Sequence, residues 1–443
     1  MEEHFHSVRV VPQKCTGRMA CLRACPTEAI RVRGGRVVFL EDRCIDCGEC
    51  ARACPNQAIV PQTSSFTDFS RFQYTVALPS PALYSQFRKE ILPGTILAAL
   101  KWIGFDDACD VAGASEAATI AISEYLAEYR GPFPLLSPFC PTVVRLIQAR
   151  HPALVDLLIP VDSPMEIAAR EIRYKKMKEL GLQRDEIGVI YLTPCAAKMV
   201  AIKDPPRKRV SHVDGAIAIA DIYHALLSAM TDLNGGDQAG PNMVRGVGLG
   251  WPVLGGQLSS LRSESCLAVG GLGDVERILD EIENGKLGDI QYVDCEACEQ
   301  GCCGGSLTVE NPYVARNKIL ALVARFGSTP SQNRPKIREL YESGYFSLPG
   351  KIPSRPSDPL DSDIAKAIEK RRRIQETYEG LPLIDCGACG APTCLSFAED
   401  VVVGRAALEE CVVLAAKRAG AAARQAAGLD SKAQIRLVKG DLV

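Results

Sequence analysis

Between Tyr74 and about Val323, short apolar runs alternate with stretches of helical period. TVALPSP, EIGVIYLTP, GAIAIA, CLAVGGL and IQYVD predict buried strands, because brief apolar runs bounded by turn formers suit strands covered on both faces. ILAALKWIG, VVRLIQARHPALVDLL and DVERILDEIENGK predict helices between them. Such alternation predicts an α/β domain with mainly parallel sheets, in which ligands gather where strands end and helices begin. Before it, PQTSSFTDFSRFQ is polar and turn-rich and reads as a linker. After it, residues 327–380 are polar and charged, a solvated connector with a helix leading out. The pattern sets off 63–350 as the α/β domain; clustered cysteines mark 1–62 and 370–415 as small domains, expected to be α+β and helical, and 416–443 is an Ala-rich tail that starts helical.

Composition bounds the function. With 443 residues, 47% hydrophobic, 23% charged and net charge −2, the chain is long enough for about three globular domains. Near-zero charge gives no case for nucleic acid or a membrane surface. No apolar run reaches the roughly 20 residues of a membrane helix. The start, MEEHFHSVRVVPQ, is too acidic and polar for an export signal, so a cytoplasmic protein is expected. In that reducing compartment, 19 cysteines point to metal rather than disulfides.

CTGRMACLRACPTEAI, from Cys15, and CIDCGECARACPNQAI, from Cys44, nearly superimpose. Cys44, Cys47, Cys50 and Cys54-Pro55 fit the C-x2-C-x2-C-x3-C-P spacing of two-cluster ferredoxins, in which the fourth cysteine serves the other cluster. That exchange groups Cys25 with Cys44, Cys47 and Cys50 as a complete 4Fe–4S set. It leaves Cys15, Cys21 and Cys54 one thiolate short, because Arg18 stands opposite Cys47 and a guanidinium has no lone pair for iron. Three states of that site stay open: a three-iron cluster, a four-iron cluster with a water or foreign ligand, or none. A 3Fe–4S or labile cluster is the expectation.

The other cysteines lie at strand and helix ends. Cys140 precedes a helix in GPFPLLSPFCPTVVR, Cys195 follows a strand in VIYLTPCAAK, and Cys298 and Cys302 follow a strand in YVDCEACEQGCCGGS. These segments resemble the three signature motifs of the FeFe hydrogenase catalytic domain, TSCCPxW, MPCxxKxxE and ExMxCxxGCxxGG, in the same order. GPFP and SPMEIAAR are similar too, and the resemblance spans about residues 1–325. It implies an H-cluster: a 4Fe–4S cubane bridged to a two-iron unit with CO, cyanide and an azadithiolate. By that resemblance Cys140, Cys195, Cys298 and Cys302 hold the cubane and Cys302 bridges to the two-iron unit. Lys198 matches the lysine that hydrogen-bonds a cyanide, a sensible partner for an anionic group. Pro79 and Ser80 fall where the dithiolate pocket is expected. The complete ferredoxin set is then the cluster nearest the H-cluster.

Departures from the family pattern carry information. Phe139 replaces the proton-relay cysteine, Ala201 the closing glutamate, and Glu296 and Thr193 two methionines; Glu124 is the retained acid of the preceding helix. A proton path needs positioned titratable groups, so turnover should be slow. In this the chain resembles the sensory FeFe hydrogenases. Cys386, Cys389, Cys394 and Cys411 have the spacing C-x2-C-x4-C-x16-C, which also follows the catalytic domain in that subgroup. Zinc is the rival there; glycines between the cysteines favour a second complete 4Fe–4S cluster.

The expected function is slow, reversible H2 oxidation used for H2 or redox sensing. A ferredoxin-linked catalytic hydrogenase is one alternative. A non-enzymatic iron–sulfur protein resembling the assembly factors of this fold is another. Implied partners are H2, protons, a redox partner such as ferredoxin, a signalling protein in trans, and hydrogenase maturation proteins. Cys109, Cys266, Cys295 and Cys303 read as core or flanking thiols. His4 and His6 read as parts of a loose terminus, and His151, His212 and His224 as packing residues.

Overall fold

The computed structural model describes residues 5–205, 207, 210–233, 246–261, 265–327, 331–355 and 360–426. His4 and the end of the tail lie outside them. The chain divides into two compact units, Met1–Val11 with Cys44–Ser357, and Pro12–Arg43 with Asp358–Val443. The segment expected as one ferredoxin-like domain, 1–62, is therefore shared between both units.

The larger unit is built on two all-parallel sheets. One has the order Asp107–Ala108, Tyr74–Pro79, Ile187–Thr193, Gly215–Ala218. The other has the order Cys266–Gly270, Tyr292–Glu296, Leu135–Leu136. Strand Ile187–Thr193 is buried at every position, which is why it reads as an unbroken apolar run rather than an alternating one. Helices Pro93–Trp102, Ala112–Glu128, Pro164–Leu180, Ile219–Asp232 and Pro312–Phe326 supply side chains to two apolar clusters that also take in this sheet's residues. A third cluster gathers Leu136, Val143, Ile147, Val269, Val275 and Val293 about the second sheet. The long helical run at 143–158 divides: an α-helix covers Pro141–Arg150 and a 3-10 helix follows from Pro152, since proline cannot donate to a continuing helix.

Helix Ala112–Glu128 begins beside the half-buried Asp110. Asp110 accepts hydrogen bonds from Tyr84 Oη (2.8 Å) and the Ala112 N–H (2.9 Å). Burial outweighs these bonds and pushes its pKa up to about 6. The folded state therefore holds this proton more tightly than the unfolded chain, whose Asp has the ordinary 3.8. The stabilisation is full below about pH 4 and is lost as pH rises through about 6, a loss of roughly 3 kcal/mol in all. Asp110→Asn should lack this decline. Denaturation of both proteins between pH 4 and 7.5 should show wild type losing about that amount relative to the variant; parallel profiles would refute it.

The smaller unit joins distant parts of the chain. Strands Ile30–Arg33 and Arg36–Phe39 form a hairpin across Gly34-Gly35, both at positive φ (56° and 75°), as a two-residue turn needs. Helices Ile364–Glu379 and Cys394–Val402 enclose a core of Ile374, Leu381, Phe397, Ala398 and Cys411. Asp363 caps the first of them by accepting from the Ala365 and Lys366 N–H groups. Asp400, fully buried, accepts from Arg31 Nε (2.5 Å) and Arg33 Nη2 (2.6 Å). Removing one side of such a pair strands a buried charge, typically at about 3–5 kcal/mol.

Candidate functional site

Three chain turns bring four thiols into one electrostatic neighbourhood. Cys140 is the N-cap of helix Pro141–Arg150. Cys195 follows strand Ile187–Thr193, its turn fixed by Thr193, whose Oγ1 donates to the Cys195 carbonyl (2.7 Å) and accepts from its N–H (3.3 Å). Cys298 and Cys302 follow strand Tyr292–Glu296. Gly301 sits at φ 72°, and a Cβ there would lie 2.6 Å from both the Leu254 nitrogen and the Pro252 oxygen, so only glycine lets the loop seat this closely.

Burial is the leading influence on all four thiols. It raises the Cys140 thiol to about 11 and raises those of Cys195, Cys298 and Cys302. Cys195 also lies in the fields of Cys140, Cys298 and Cys302, and Cys298 in those of Cys140 and Cys195. Four neighbouring half-buried thiols fit a metal cluster, whose positive charge would convert them to thiolates. Cys303, next to Cys302, also feels Glu296, but its side chain is hydrogen-bonded to Ser85 and burial lifts it to about 12. Cys295 faces Cys140 but lies in the strand itself. Burial also raises Cys109, to about 12, outside the group.

Lys198, on helix Ala197–Lys203, acts on Cys195 and Cys302 and donates to the Phe139 carbonyl (2.9 Å). Glu296, at the family's methionine position, stands out in the sequence only as a departure. Its carboxyl is pushed well above the usual range, first by burial and then by Asp294, with Lys198 opposing. Ser80 is buried as the N-cap of the 3-10 helix Pro81–Ser85 and is hydrogen-bonded to Tyr191, which feels Cys302 and Cys195. Phe139 packs edge-on against Trp251 with ring centroids 5.4 Å apart. Phe139, Lys198 and Ala201 line one cavity with Arg145, Glu166 and Arg355. Glu124 is drawn to Arg334 (3.6 Å) and Arg338 (3.8 Å).

The second cysteine repeat packs directly on this site. Arg52 donates to the Gly304 carbonyl (2.7 Å) and contributes its charge at Cys298. A Cβ on Gly48 would lie 2.7 Å from Ser306 Oγ. Ile45 and Cys47 join the apolar cluster that includes Cys140. Asp46, between two cysteines of the repeat, carries no functional signal in the sequence. It is buried, accepts from the Ser7 N–H (2.7 Å), pairs with Arg145 (2.8 Å) and lies 3.5 Å from His6 Nδ1. Burial alone would raise its carboxyl, but His6, Arg145 and Ser7 together hold it below the usual range. His6 is therefore tied in rather than loose: its carbonyl also accepts from Gln62 Nε2 (2.9 Å).

Both repeats use the same backbone. Gly17, Met19 and Glu28 have positive φ, as do Asp46, Gly48 and Gln57 at the equivalent places. Each repeat ends with an amide donating to its last thiol, Ala29 to Cys25 Sγ (3.2 Å) and Ala58 to Cys54 Sγ (3.3 Å). Such bonds suit iron–sulfur thiolates. Cys21 and Cys50 are buried; Cys15 and Cys44 are half-buried; Arg18 is exposed where Cys47 is half-buried. In the C-terminal module Cys386, Cys389, Cys394 and Cys411 line one pocket with Phe397, and Cys389, raised chiefly by burial, lies in the fields of Cys411 and Cys386.

Elsewhere His151 sits 3.3 Å from Glu283 and 3.9 Å from Asp280. The His224 ring packs on Tyr223, with centroids 5.4 Å apart, and the His212 N–H donates to Glu166 (2.8 Å). Among the described residues, no helix is long and apolar enough to cross a membrane.

Three family models match segments of the chain. Residues 73–263 match the family model "Iron only hydrogenase large subunit, C-terminal domain". Residues 7–55 match "4Fe-4S dicluster domain", and residues 381–413 match a model for an "Fe-S cluster". The chain is 50% identical over 36 residues to the corrinoid/iron-sulfur protein large subunit of Moorella thermoacetica, a match spanning 8% of each chain. Two variants of the [FeFe]-hydrogenase HydA1 from Chlamydomonas reinhardtii are similar at 16% identity over 66% of this chain and 97% of theirs, with TM-scores of 0.48 and 0.49. The HydA(deltaEFG) [FeFe]-hydrogenase gives 15% identity, the same coverages and a TM-score of 0.48. On the strength of the family models, the chain carries an FeFe-hydrogenase-like catalytic domain, with an iron–sulfur module before it and another after it.

Proposed function

We propose that this protein interconverts H2 with protons and electrons as an FeFe hydrogenase, exchanging electrons with a ferredoxin-type partner. The observation that carries the proposal is the convergence of Cys140, Cys195, Cys298 and Cys302 with Lys198 beside them. These cysteines would hold the cubane of an H-cluster, and Cys302 the bridge to its two-iron unit. When bound, that group supplies the reversible chemistry of H2. Lys198 and the buried Ser80 offer donors to its anionic periphery. Cys25, Cys44, Cys47 and Cys50 would hold a 4Fe–4S cluster wired to it through the packing of Arg52 and Ile45. Cys386, Cys389, Cys394 and Cys411 would hold another, and Cys15, Cys21 and Cys54 a 3Fe–4S or labile one.

A second reading, H2 or redox sensing at low turnover with a signalling partner in trans, is favoured by one observation. The ring of Phe139, buried against Trp251, occupies the relay position next to Cys140. Infrared spectroscopy of protein loaded with the two-iron unit by its maturation proteins tests the proposal. CO and cyanide bands that shift under H2 are expected. Their absence would leave a non-enzymatic iron–sulfur protein.

A further inference from the structure

His151 closes helix Pro141–Arg150 at the end opposite Cys140, about 15 Å away along the axis. Its backbone is held on both sides: its N–H donates to the Ile147 carbonyl (3.0 Å), and its carbonyl accepts from the Leu154 N–H (2.9 Å). The residue is 4% exposed, and among the described residues neither ring nitrogen makes a hydrogen bond. A buried polar group left in that state costs free energy unless something supplies a partner. The ring faces the last turn of helix Leu272–Glu283. Its Nδ1 lies 3.3 Å from a Glu283 oxygen and 3.9 Å from an Asp280 oxygen. Ligand atoms of all three residues lie within 4.8 Å of one another.

Packing and charge both shape this meeting point. Asp280 and Glu283 stand three apart and so share a helix face. Leu279 and Ile282 beside them are buried in the apolar cluster that also holds Ile147 and Leu154. Carboxylates at a helix C-terminus meet the negative end of its dipole, and that last turn carries no basic residue to relieve them. His151 stands at a second such end, whose Arg150 is engaged by Glu276. A cation would answer both carboxylates, both helix ends and the bare imidazole nitrogen.

We infer that His151, Asp280 and Glu283 form a binding site for one zinc ion. Imidazole combined with carboxylate suits zinc, whereas magnesium and calcium prefer oxygen alone. Bonds of about 2.0–2.2 Å in tetrahedral array set neighbouring ligand atoms roughly 3.3–3.5 Å apart, which is the His151–Glu283 separation. Asp280, its side chain 61% exposed, has room to close from 3.9 Å. Two carboxylates neutralise the ion, and its fourth position faces water. Bound there, zinc would tie the far end of the helix that Cys140 caps to helix Leu272–Glu283. The inference does not depend on the H2 reading.

The test is equilibrium dialysis of the full chain, loaded with its iron–sulfur clusters, against zinc chloride. At a concentration that just fills the wild-type site, wild type should hold one zinc more than His151→Ala. Zinc taken up by thiols is common to both and cancels. Asp280→Asn alters an exposed side chain and keeps the test open should His151→Ala not fold. It should need at least about tenfold more zinc, the least that losing even an outer partner of a metal ligand costs. X-ray absorption of the extra zinc should show nitrogen and oxygen neighbours only. Equal uptake by wild type and variants, or sulfur around the extra zinc, would overturn the inference and leave His151 a protonated partner of Glu283.

Discussion

Cys195→Ala should abolish H2 turnover and remove about one four-iron cluster's worth of iron per chain. Thiolate bonds are part of the folding energy of such a site, and three remaining thiols cannot complete a four-ligand set. The whole catalytic enhancement, commonly about 10⁶-fold or more, depends on the cluster. The substitution is otherwise mild. Thr193 fixes the turn through backbone groups that alanine retains. Cys109→Ala is the control, a half-buried thiol away from the group that should leave the iron content unchanged. Iron analysis and H2 evolution on both proteins decide the matter, and wild-type turnover in Cys195→Ala would sink the ligand assignment.

Phe139→Cys should raise turnover, by up to the roughly 10²–10⁴-fold that positioned proton transfer contributes. The thiol would stand next to Cys140, at the cavity shared by Lys198 and Ala201. Lys198 keeps its bond, since it holds the carbonyl of residue 139 rather than the ring. The gain should be partial. Ala201 offers no acid, Glu124 is engaged by Arg334 and Arg338, and Ser115 and Thr119 on the same helix bond back to their own helix carbonyls. Losing the ring contact with Trp251 should also cost about 2–4 kcal/mol of stability. H2 evolution must therefore be compared at equal cluster content. A wild-type rate as fast as the variant's would remove the case for an interrupted relay.

The five longer strands of the two parallel sheets were legible because each carries a short apolar run, and two of them, Ile187–Thr193 and Gly215–Ala218, are buried at every position. The two-residue strands Asp107–Ala108 and Leu135–Leu136 were not, being too short for any period to show. Cysteine spacing revealed the candidate ligands because the chemistry repeats at short intervals. Asp46 and Asp400 stayed hidden for the opposite reason. Each owes its role to partners far along the chain, Arg145 in one case and Arg31 and Arg33 in the other. The sharing of residues 12–43 with the C-terminal module was illegible on the same ground.

Arg31 and Asp400 are 369 positions apart. At a synthesis rate of about 5–20 residues per second, the hairpin emerges from the ribosome roughly 20–70 s before the carboxylate that will neutralise it. Through that interval two arginines wait unpaired, and Leu22 stands uncovered beside Cys21. The larger unit can complete its sheets in the meantime, since all their strands lie before residue 300. The order of translation thus leaves the first cysteine loop without its covering partners until the chain is nearly complete.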